Sequence, residues 1–140
     1  MDYTAAEAKR RAGLWRARAQ IAYTAAQRAY EASDWHTTAN RAYYAVYQLC
    51  TAVCIEHGDA SQFPSVWNNP AHEQLPDLIR NNGDITVYAR RQVSGLLYSL
   101  RSAREDADYR IGRTVNKETA DDCLKESRRI FDYLDTTAKG

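Results

Sequence analysis

All three prolines of this 140-residue chain lie between about Asp59 and Asp84, and this placement constrains the fold most strongly. Proline interrupts helices, so the segments on either side are free to form long ones. In those segments small and apolar residues recur every three or four positions, while alternating runs typical of strands are absent. The sequence therefore predicts an all-α fold without a sheet.

The first helix is predicted from about Thr4 to Ala32, a segment with no proline and a single glycine, Gly13. A stripe at helical spacing would face a neighbouring helix. Its members are Ala5, Ala8, Ala12, Trp15, Ala19, Ala22, Ala26 and Ala29. The basic residues of the other side are Lys9, Arg10, Arg11, Arg16 and Arg18. We interpret them as a solvated face, which is ordinary for a helix exterior.

The second helix is predicted from about Trp35 to His57, with an N-cap at Ser33-Asp34 and Gly58 at its end. Its apolar arc is too wide for a surface helix, so we expect it to be the central one. The arc consists of Ala42, Tyr43, Val46, Tyr47, Leu49, Cys50, Val53 and Cys54. The narrower polar remainder consists of Asn40, Arg41, Tyr44, Gln48 and Thr51.

A long connection from about Asp59 to Asp84 follows, with a short helix expected at His72–Arg80 and with Phe63 and Trp67 expected against the core. The third long helix is predicted from about Ile85 to Ala107. A corner then spans about Asp108 to Val115, and Asn116 is the expected cap of the last helix.

Length and composition limit the function classes. A length of 140 residues predicts one domain, 1–140. The 19 basic and 18 acidic residues nearly balance, which argues against non-specific binding of polyanions over the whole surface. No run of about 18 apolar residues occurs, so no membrane span is expected. The first residues show no signal-peptide pattern, and three cysteines form no disulfide framework. These features predict a cytoplasmic protein with reduced thiols.

Familiar catalytic and metal-binding patterns are missing from the sequence. It contains no glycine-rich phosphate loop and no nucleophile-elbow or zinc-protease motif. Cys50, Cys54 and His57 share one helix face, and Cys123 could be the fourth ligand of a zinc site. Their neighbours are apolar, however, which favours small buried thiols over metal ligands. His36 and His72 are interpreted as lone, hydrogen-bonded structural histidines. We therefore predict no metal and no cofactor.

The densest charge lies in residues 101–113, where the third long helix ends. Arg104 and Arg41 carry planar guanidinium groups that suit phosphate or carboxylate, whereas Tyr44 and Tyr109 offer ring faces with polar tips. Asp108 could orient an arginine or accept a hydrogen bond from a base or ribose. The predicted ligand-binding residues are therefore Arg41, Tyr44, Arg104, Asp108 and Tyr109. Alternatively, Arg104 and Arg41 pair with Asp108 and Glu105 only to tie two helices together.

Two short motifs carry a family resemblance. Asn40-Arg41-Ala42-Tyr43-Tyr44-Ala45 opens the second helix, and Arg104-Glu105-Asp106-Ala107-Asp108-Tyr109 ends the third. With Pro70 to His72 between them, they resemble the HEPN superfamily, in its branch with an Arg-Ala-Tyr-Tyr-Ala opening and an Arg-x-x-Ala-Asp-Tyr ending. The resemblance covers most of the chain. It implies an up-and-down bundle of four long helices, with the short extra helix in the long loop, that often dimerises.

The same resemblance bears on activity. Catalytic HEPN proteins are metal-independent ribonucleases with an Arg and, a few residues on, a His. Arg104 matches the Arg, whereas Tyr109 occupies the place of the His, and no His follows His72. The family implies a nucleotide- or RNA-binding homodimer of a prokaryotic toxin–antitoxin or defence system, with a nucleotidyltransferase-type antitoxin as possible partner. A ribonuclease that uses Arg104 and Tyr109 as catalytic residues, and a non-catalytic interaction scaffold, remain alternatives.

Overall fold

The computed structural model describes residues 2–64 and 68–135, which form an all-α structure without a β-strand. Five α-helices follow one another along this part of the chain. They are α1 (Ala5–Glu31), α2 (Trp35–His57), α3 (Leu75–Arg80), α4 (Val87–Tyr109) and α5 (Lys117–Asp135). A 3₁₀ turn at Asp59–Gln62 leads away from α2. The all-α prediction is confirmed, with helix bounds close to those expected.

Helix α2 lies at the centre of the fold, as its wide apolar arc predicts. It packs against α1, α3, α4 and α5. Small residues allow this close packing, since Ala39, Ala42, Ala45 and Ala52 are all fully buried. Polar ties add to it, for the buried Ser127 hydroxyl of α5 donates to the Ala42 carbonyl of α2 at 3.2 Å.

Helix ends follow the local chemistry that the sequence indicates. The Asp34 carboxylate accepts the Thr37 N–H at 3.2 Å, and the Asn116 side chain accepts the Thr119 N–H at 2.9 Å. Gly58 ends α2 with φ 93°, a left-handed conformation that strains any side-chain-bearing residue. These stops fix where α2 begins and ends, and so which of its residues face α4.

The proline-bearing connection differs from its prediction in one respect that matters for the site. The short helix begins at Leu75 rather than His72, and Pro76 occupies its first turn, where a missing N–H costs nothing. The Ala71 N–H bonds the Gln74 side chain instead of a helical carbonyl. His72 therefore lies in a turn. Phe63 is buried as expected, whereas Trp67 falls outside the described residues.

Helix α4 extends further than predicted. Thr86 caps its start by accepting the Ala89 N–H, and the helix continues through Tyr109. The expected corner at Asp108–Val115 therefore begins only after Tyr109. An ion pair between Arg110 and Asp106 at 2.7 Å supports this last turn. Because Asp108 is helical, it lies one turn beyond Arg104 on the same face.

Three residue-level expectations are wrong. Ala5, placed in the packing stripe of α1, is exposed because it stands in the helix's first turn. Thr51, placed on the polar side of α2, is fully buried and donates to the Tyr47 carbonyl at 2.8 Å. Arg16, placed on the solvated face of α1, is half-buried and bonds Glu56 of α2 through two nitrogens, at 3.1 and 2.6 Å.

Candidate functional site

The five predicted ligand-binding residues come together where the first turns of α2 meet the last turns of α4. Arg41 and Tyr44 come from α2, whereas Arg104, Asp108 and Tyr109 come from α4. We call this group the Arg104 corner. The spacing of three between Arg41 and Tyr44 and of four between Arg104 and Asp108 places each pair on one side of its helix. Tyr109, the last residue of α4, joins them through the hydrogen bond between its hydroxyl and Arg104. The contact between α2 and α4 then joins the two sets.

Arg104 is the centre of the corner. Its Nη2 donates to the Tyr44 hydroxyl at 2.7 Å and to the Tyr109 hydroxyl at 3.0 Å. The guanidinium carbon also lies 5.2 Å from the Tyr44 ring centroid and 4.9 Å from that of Tyr109. The side chain is only 12% exposed. Two phenols thus hold the guanidinium in one place, and a fixed fork loses little entropy when it binds an anion.

Asp108 is shared between the two helices. Its Oδ2 lies 2.9 Å from Arg104 Nε, and it also accepts a 2.8 Å hydrogen bond from Asn40 Nδ2 of α2. The Arg104 Nε–H is buried, yet it forms no hydrogen bond, so its link to Asp108 is an ion pair without hydrogen-bond geometry. The carboxylate is therefore oriented by Asn40, and the Arg104 charge is only partly compensated.

Arg41 has no carboxylate partner among the described residues. Its Nε donates to the Asn40 side-chain oxygen at 2.8 Å, a neutral acceptor. Its guanidinium carbon lies 5.2 Å from the Tyr44 ring centroid, the same distance as that of Arg104. Tyr44 thus contacts two cations while Asp108 supplies one negative charge. This imbalance leaves the corner net positive and suited to an anion.

A group of aromatic rings adjoins the corner and was missed by sequence reasoning. His72 stacks on Tyr47 with ring centroids 4.6 Å apart and lies 6.1 Å from the Tyr44 ring, edge to face. The Tyr43 hydroxyl lies 2.6 Å from His72 Nδ1. The Tyr47 hydroxyl bonds the Pro70 carbonyl and so fixes the turn that carries the histidine. We call His72, Tyr43, Tyr44 and Tyr47 the Tyr–His cluster.

Burial and charge bias the protonation states in this cluster. Partial burial lowers the pKa of His72, and the neighbouring cations Arg104 and Arg101 lower it further. The ring is therefore neutral at pH 7. Burial raises the pKa of the Tyr43 phenol, which stays protonated. The prediction that His72 is hydrogen-bonded is confirmed, but its proximity to Arg104 was invisible because 32 positions separate the two in sequence.

The remaining histidines and cysteines do not add to the site. His36 is exposed in the first turn of α2, and His57 lies 2.6 Å from Asp84 at the other end of that helix. Cys50, Cys54 and Cys123 are buried thiols, and burial raises the pKa of Cys123 to about 12. Within residues 2–64 and 68–135, no three His, Cys, Asp or Glu side chains are placed to hold a metal ion.

Two open grooves follow the outer side of α1, on residues other than those of the corner. One, of about 430 Å³, is lined by Gln20, Ile21, Thr24, Ala25 and Arg28. The other includes Leu14, Arg10 and Arg11, and these two arginines are paired with Glu7 at 3.0 and 2.7 Å. Arg10 and Arg11 share this single carboxylate, and Arg18 and Arg28 also line the grooves, so positive charge occurs there as well. What the grooves lack is the set of motif residues found at the Arg104 corner.

The chemistry available at the corner is anion binding with aromatic contact. Arg104 and Arg41 supply the charge, Tyr44 and Tyr109 supply rings and hydroxyls, and Tyr109 is 68% exposed and open to a ligand. Sequence reasoning named these residues from motif and charge density. It did not name Asn40 as the orienter of Asp108 or the Tyr–His cluster. Asn40 stands in the first motif, whereas nothing in the sequence pairs His72 with Tyr43.

Comparison with known proteins places this geometry in context. The HEPN domain family model matches residues 12–136, a span that includes both motifs of the Arg104 corner. Searches of curated proteins and of solved structures gave no significant match. None of the described helices has the length and apolar composition needed to cross a bilayer.

Proposed function

This chain belongs to the HEPN domain family, and we propose on that basis that it binds a nucleotide or single-stranded RNA at the Arg104 corner. A HEPN domain suggests a nucleotide- or RNA-related function, and the local chemistry supports it. The proposed unit is one domain, residues 1–140, with its four long helices arranged up-and-down. It acts in the cytoplasm of a prokaryote as part of a toxin–antitoxin or defence system.

The observation that carries this proposal is that two arginine side chains contact the Tyr44 ring. Arg41 and Arg104 lie at the same distance from its ring, and Arg41 has no carboxylate partner in the described part of the chain. In a purely structural cluster, each buried or half-buried charge would be expected to be paired. An incoming phosphate would supply the missing negative charge, and the exposed Tyr109 ring would stack on a base.

The proposal divides the roles among the corner residues. Arg104 and Arg41 bind the phosphate, Asp108 holds Arg104 in register through Asn40, and Tyr44 and Tyr109 contact the base or ribose. The Tyr109 hydroxyl accepts from Arg104 and keeps its own O–H to donate. That arrangement fits a binding group better than a general base, so we favour binding over cleavage through Arg104 and Tyr109.

Binding of a fluorescent oligouridylate and of nucleotides to the purified protein tests the proposal. We expect Arg104→Ala and Arg41→Ala to weaken binding and to reduce its salt dependence, because each removes a phosphate contact. Arg128→Ala is the matched control, since Arg128 forms an exposed ion pair at the same helical spacing with Asp132 in α5. Equal affinities for all four proteins would refute the proposal.

The same samples test the two alternatives. Cleavage of labelled RNA by the wild type, lost in Arg104→Ala and Tyr109→Phe, would establish the ribonuclease instead. A fall in melting temperature for Arg104→Ala with no binding by the wild type would establish the scaffold, because Arg104 also links α4 to Tyr44 of α2.

The oligomeric state and the partner belong to the proposal as well. HEPN domains often dimerise, and we propose a homodimer in which a two-fold axis near the corner doubles the cationic residues. A nucleotidyltransferase-type antitoxin is the proposed protein partner. Light scattering of the purified chain tests the first statement, and co-expression with proteins of that class tests the second.

A further inference from the structure

We infer that His72 is a third contact of the phosphate bound at the Arg104 corner, and that it takes up a proton when the ligand binds. This inference rests on the proposed function. It deepens that function by making affinity depend on pH through one residue outside both motifs. The geometry that supports it concerns the two ring nitrogens, which have different surroundings.

Nδ1 of His72 is already hydrogen-bonded within the protein. It lies 2.6 Å from the Tyr43 hydroxyl, and this phenol is buried and stays protonated. The Tyr43 hydroxyl has no other partner in the described part of the chain, so the phenol donates and Nδ1 accepts. Neutral His72 must then carry its own hydrogen on Nε2. Tyr43 therefore selects the tautomer that presents a donor on the far side of the ring.

Nε2 of His72 is free to meet a ligand. It forms no hydrogen bond with the described residues. It is also not buried, so solvent reaches it. The ring is held in place by stacking on Tyr47 and by the edge of Tyr44, the tyrosine that also contacts Arg104 and Arg41. A phosphate seated on those cations would therefore lie beside a fixed Nε2–H donor.

The surroundings of His72 explain why a proton would follow the ligand. Burial is the main cause of the lowered pKa of His72, and among the charged groups near it the cations Arg104 and Arg101 outweigh the carboxylates. The groups that face it are Tyr43, Tyr44 and Tyr47 from α2, Arg101, Arg104 and Glu105 from α4, and Glu73 from its own turn. A bound phosphate would offset the arginine charges and favour the imidazolium.

The proton balance is simple. One proton from solvent adds to Nδ1, and the Tyr43 hydroxyl turns from donor to acceptor. Both ring N–H groups then donate, Nδ1–H to Tyr43 and Nε2–H to the phosphate. No covalent bond forms or breaks. By linkage, a ligand that raises proton affinity must itself bind more tightly at lower pH.

The test uses an oligouridylate with hydroxyl groups at both ends, because neither its phosphodiesters nor its bases titrate between about pH 5 and 8, where histidine does. We expect wild-type affinity to rise as the pH falls. The rise is about tenfold for each unit by which the ligand raises the pKa of His72. Calorimetry in two buffers of different ionisation heat should show proton uptake.

Matched variants identify the residue. His72→Gln keeps an N–H donor but cannot titrate, so the pH dependence of its affinity should disappear. His36→Gln, an exposed histidine at the start of α2, should keep the full pH dependence. In the wild type, NMR of the histidine Cε1–H signals should show the pKa of His72 rising when oligouridylate is added, and this measurement needs no variant.

Failure of this inference is distinguishable from failure of the proposed function. Binding that requires Arg104 but keeps its pH dependence in His72→Gln, or leaves the His72 signal unshifted, overturns the role of His72 alone. Absence of any Arg104-dependent binding at every pH overturns both.

Discussion

Two arginine clusters lie at opposite ends of α2, and they are built on different principles. At the C-terminal end, Arg16 of α1 bonds both oxygens of Glu56 and lies 3.9 Å from Asp135, so two carboxylates surround one cation. At the N-terminal end, Arg41 and Arg104 contact the same Tyr44 ring, and only Arg104 has a carboxylate partner, Asp108. The first cluster is closed by the protein itself. The second leaves positive charge for something else to neutralise.

The comparison shows why counting arginines does not locate a site. Arg16 and Arg104 are both partly buried cations that join two helices. Only their partners differ. Arg16 contacts two carboxylates, whereas Arg104 contacts two phenols and one carboxylate. A guanidinium already matched by two carboxylates has little affinity left for a phosphate, whereas one held by phenols keeps its charge.

The largest expected effect is on binding. Arg104→Ala should weaken oligouridylate binding by about 30-fold, since a hydrogen-bonded charge contact contributes about 2 kcal/mol. Fluorescence anisotropy at fixed salt measures this loss. Arg16→Ala should leave the affinity unchanged. A comparable loss in Arg16→Ala would erase the distinction between the two clusters.

The next effect is on stability and falls on the other cluster. Arg16→Ala should lower the free energy of unfolding by about 1.5 kcal/mol, because it removes a bidentate pair and leaves Glu56 and Asp135 without their shared cation. Solvent screening of the partly exposed pair keeps the loss small. Urea unfolding followed by circular dichroism provides the value. If this variant is as stable as the wild type, the closed cluster does not contribute as its geometry indicates.

A smaller and more discriminating effect comes from removing a carboxylate at each end. Asp108→Asn keeps an acceptor for Asn40 but deletes the negative charge, so oligouridylate binding should tighten about threefold at low salt. Glu56→Gln should instead lower the melting temperature and leave binding alone. Weaker binding by Asp108→Asn would mean that the negative charge of Asp108 is needed, either to position Arg104 or to contact the ligand.

The smallest effect is on acid stability. The pKa of His72 is lowered in the folded protein, so the unfolded chain binds a proton first. Stability from this group is complete above the ordinary histidine pKa and declines as the pH falls from there toward the lowered value. His72→Gln should flatten that decline relative to wild type, whereas His36→Gln should not. Thermal melts between about pH 7 and 5 give the comparison.

Much of this molecule could be predicted from sequence because it depends on local chemistry. The caps at Asp34 and Asn116, the stop at Gly58 and the burial of α2 follow from residue type and spacing. The membership of the Arg104 corner also followed, since two motifs at helical spacing named its five residues. What each of those residues does in the corner remains a proposal.

The tertiary structure alone decided how charges and rings are shared. It separated Arg16, which is fully paired, from Arg41, which is not, although both were predicted on polar helix faces. It also placed His72, which lies in a turn far away in sequence, beside Tyr43 and the arginines of α4. Helical periodicity acts over neighbouring turns and so is legible in sequence. Compensation of a charge depends on distant segments that meet only in the folded core.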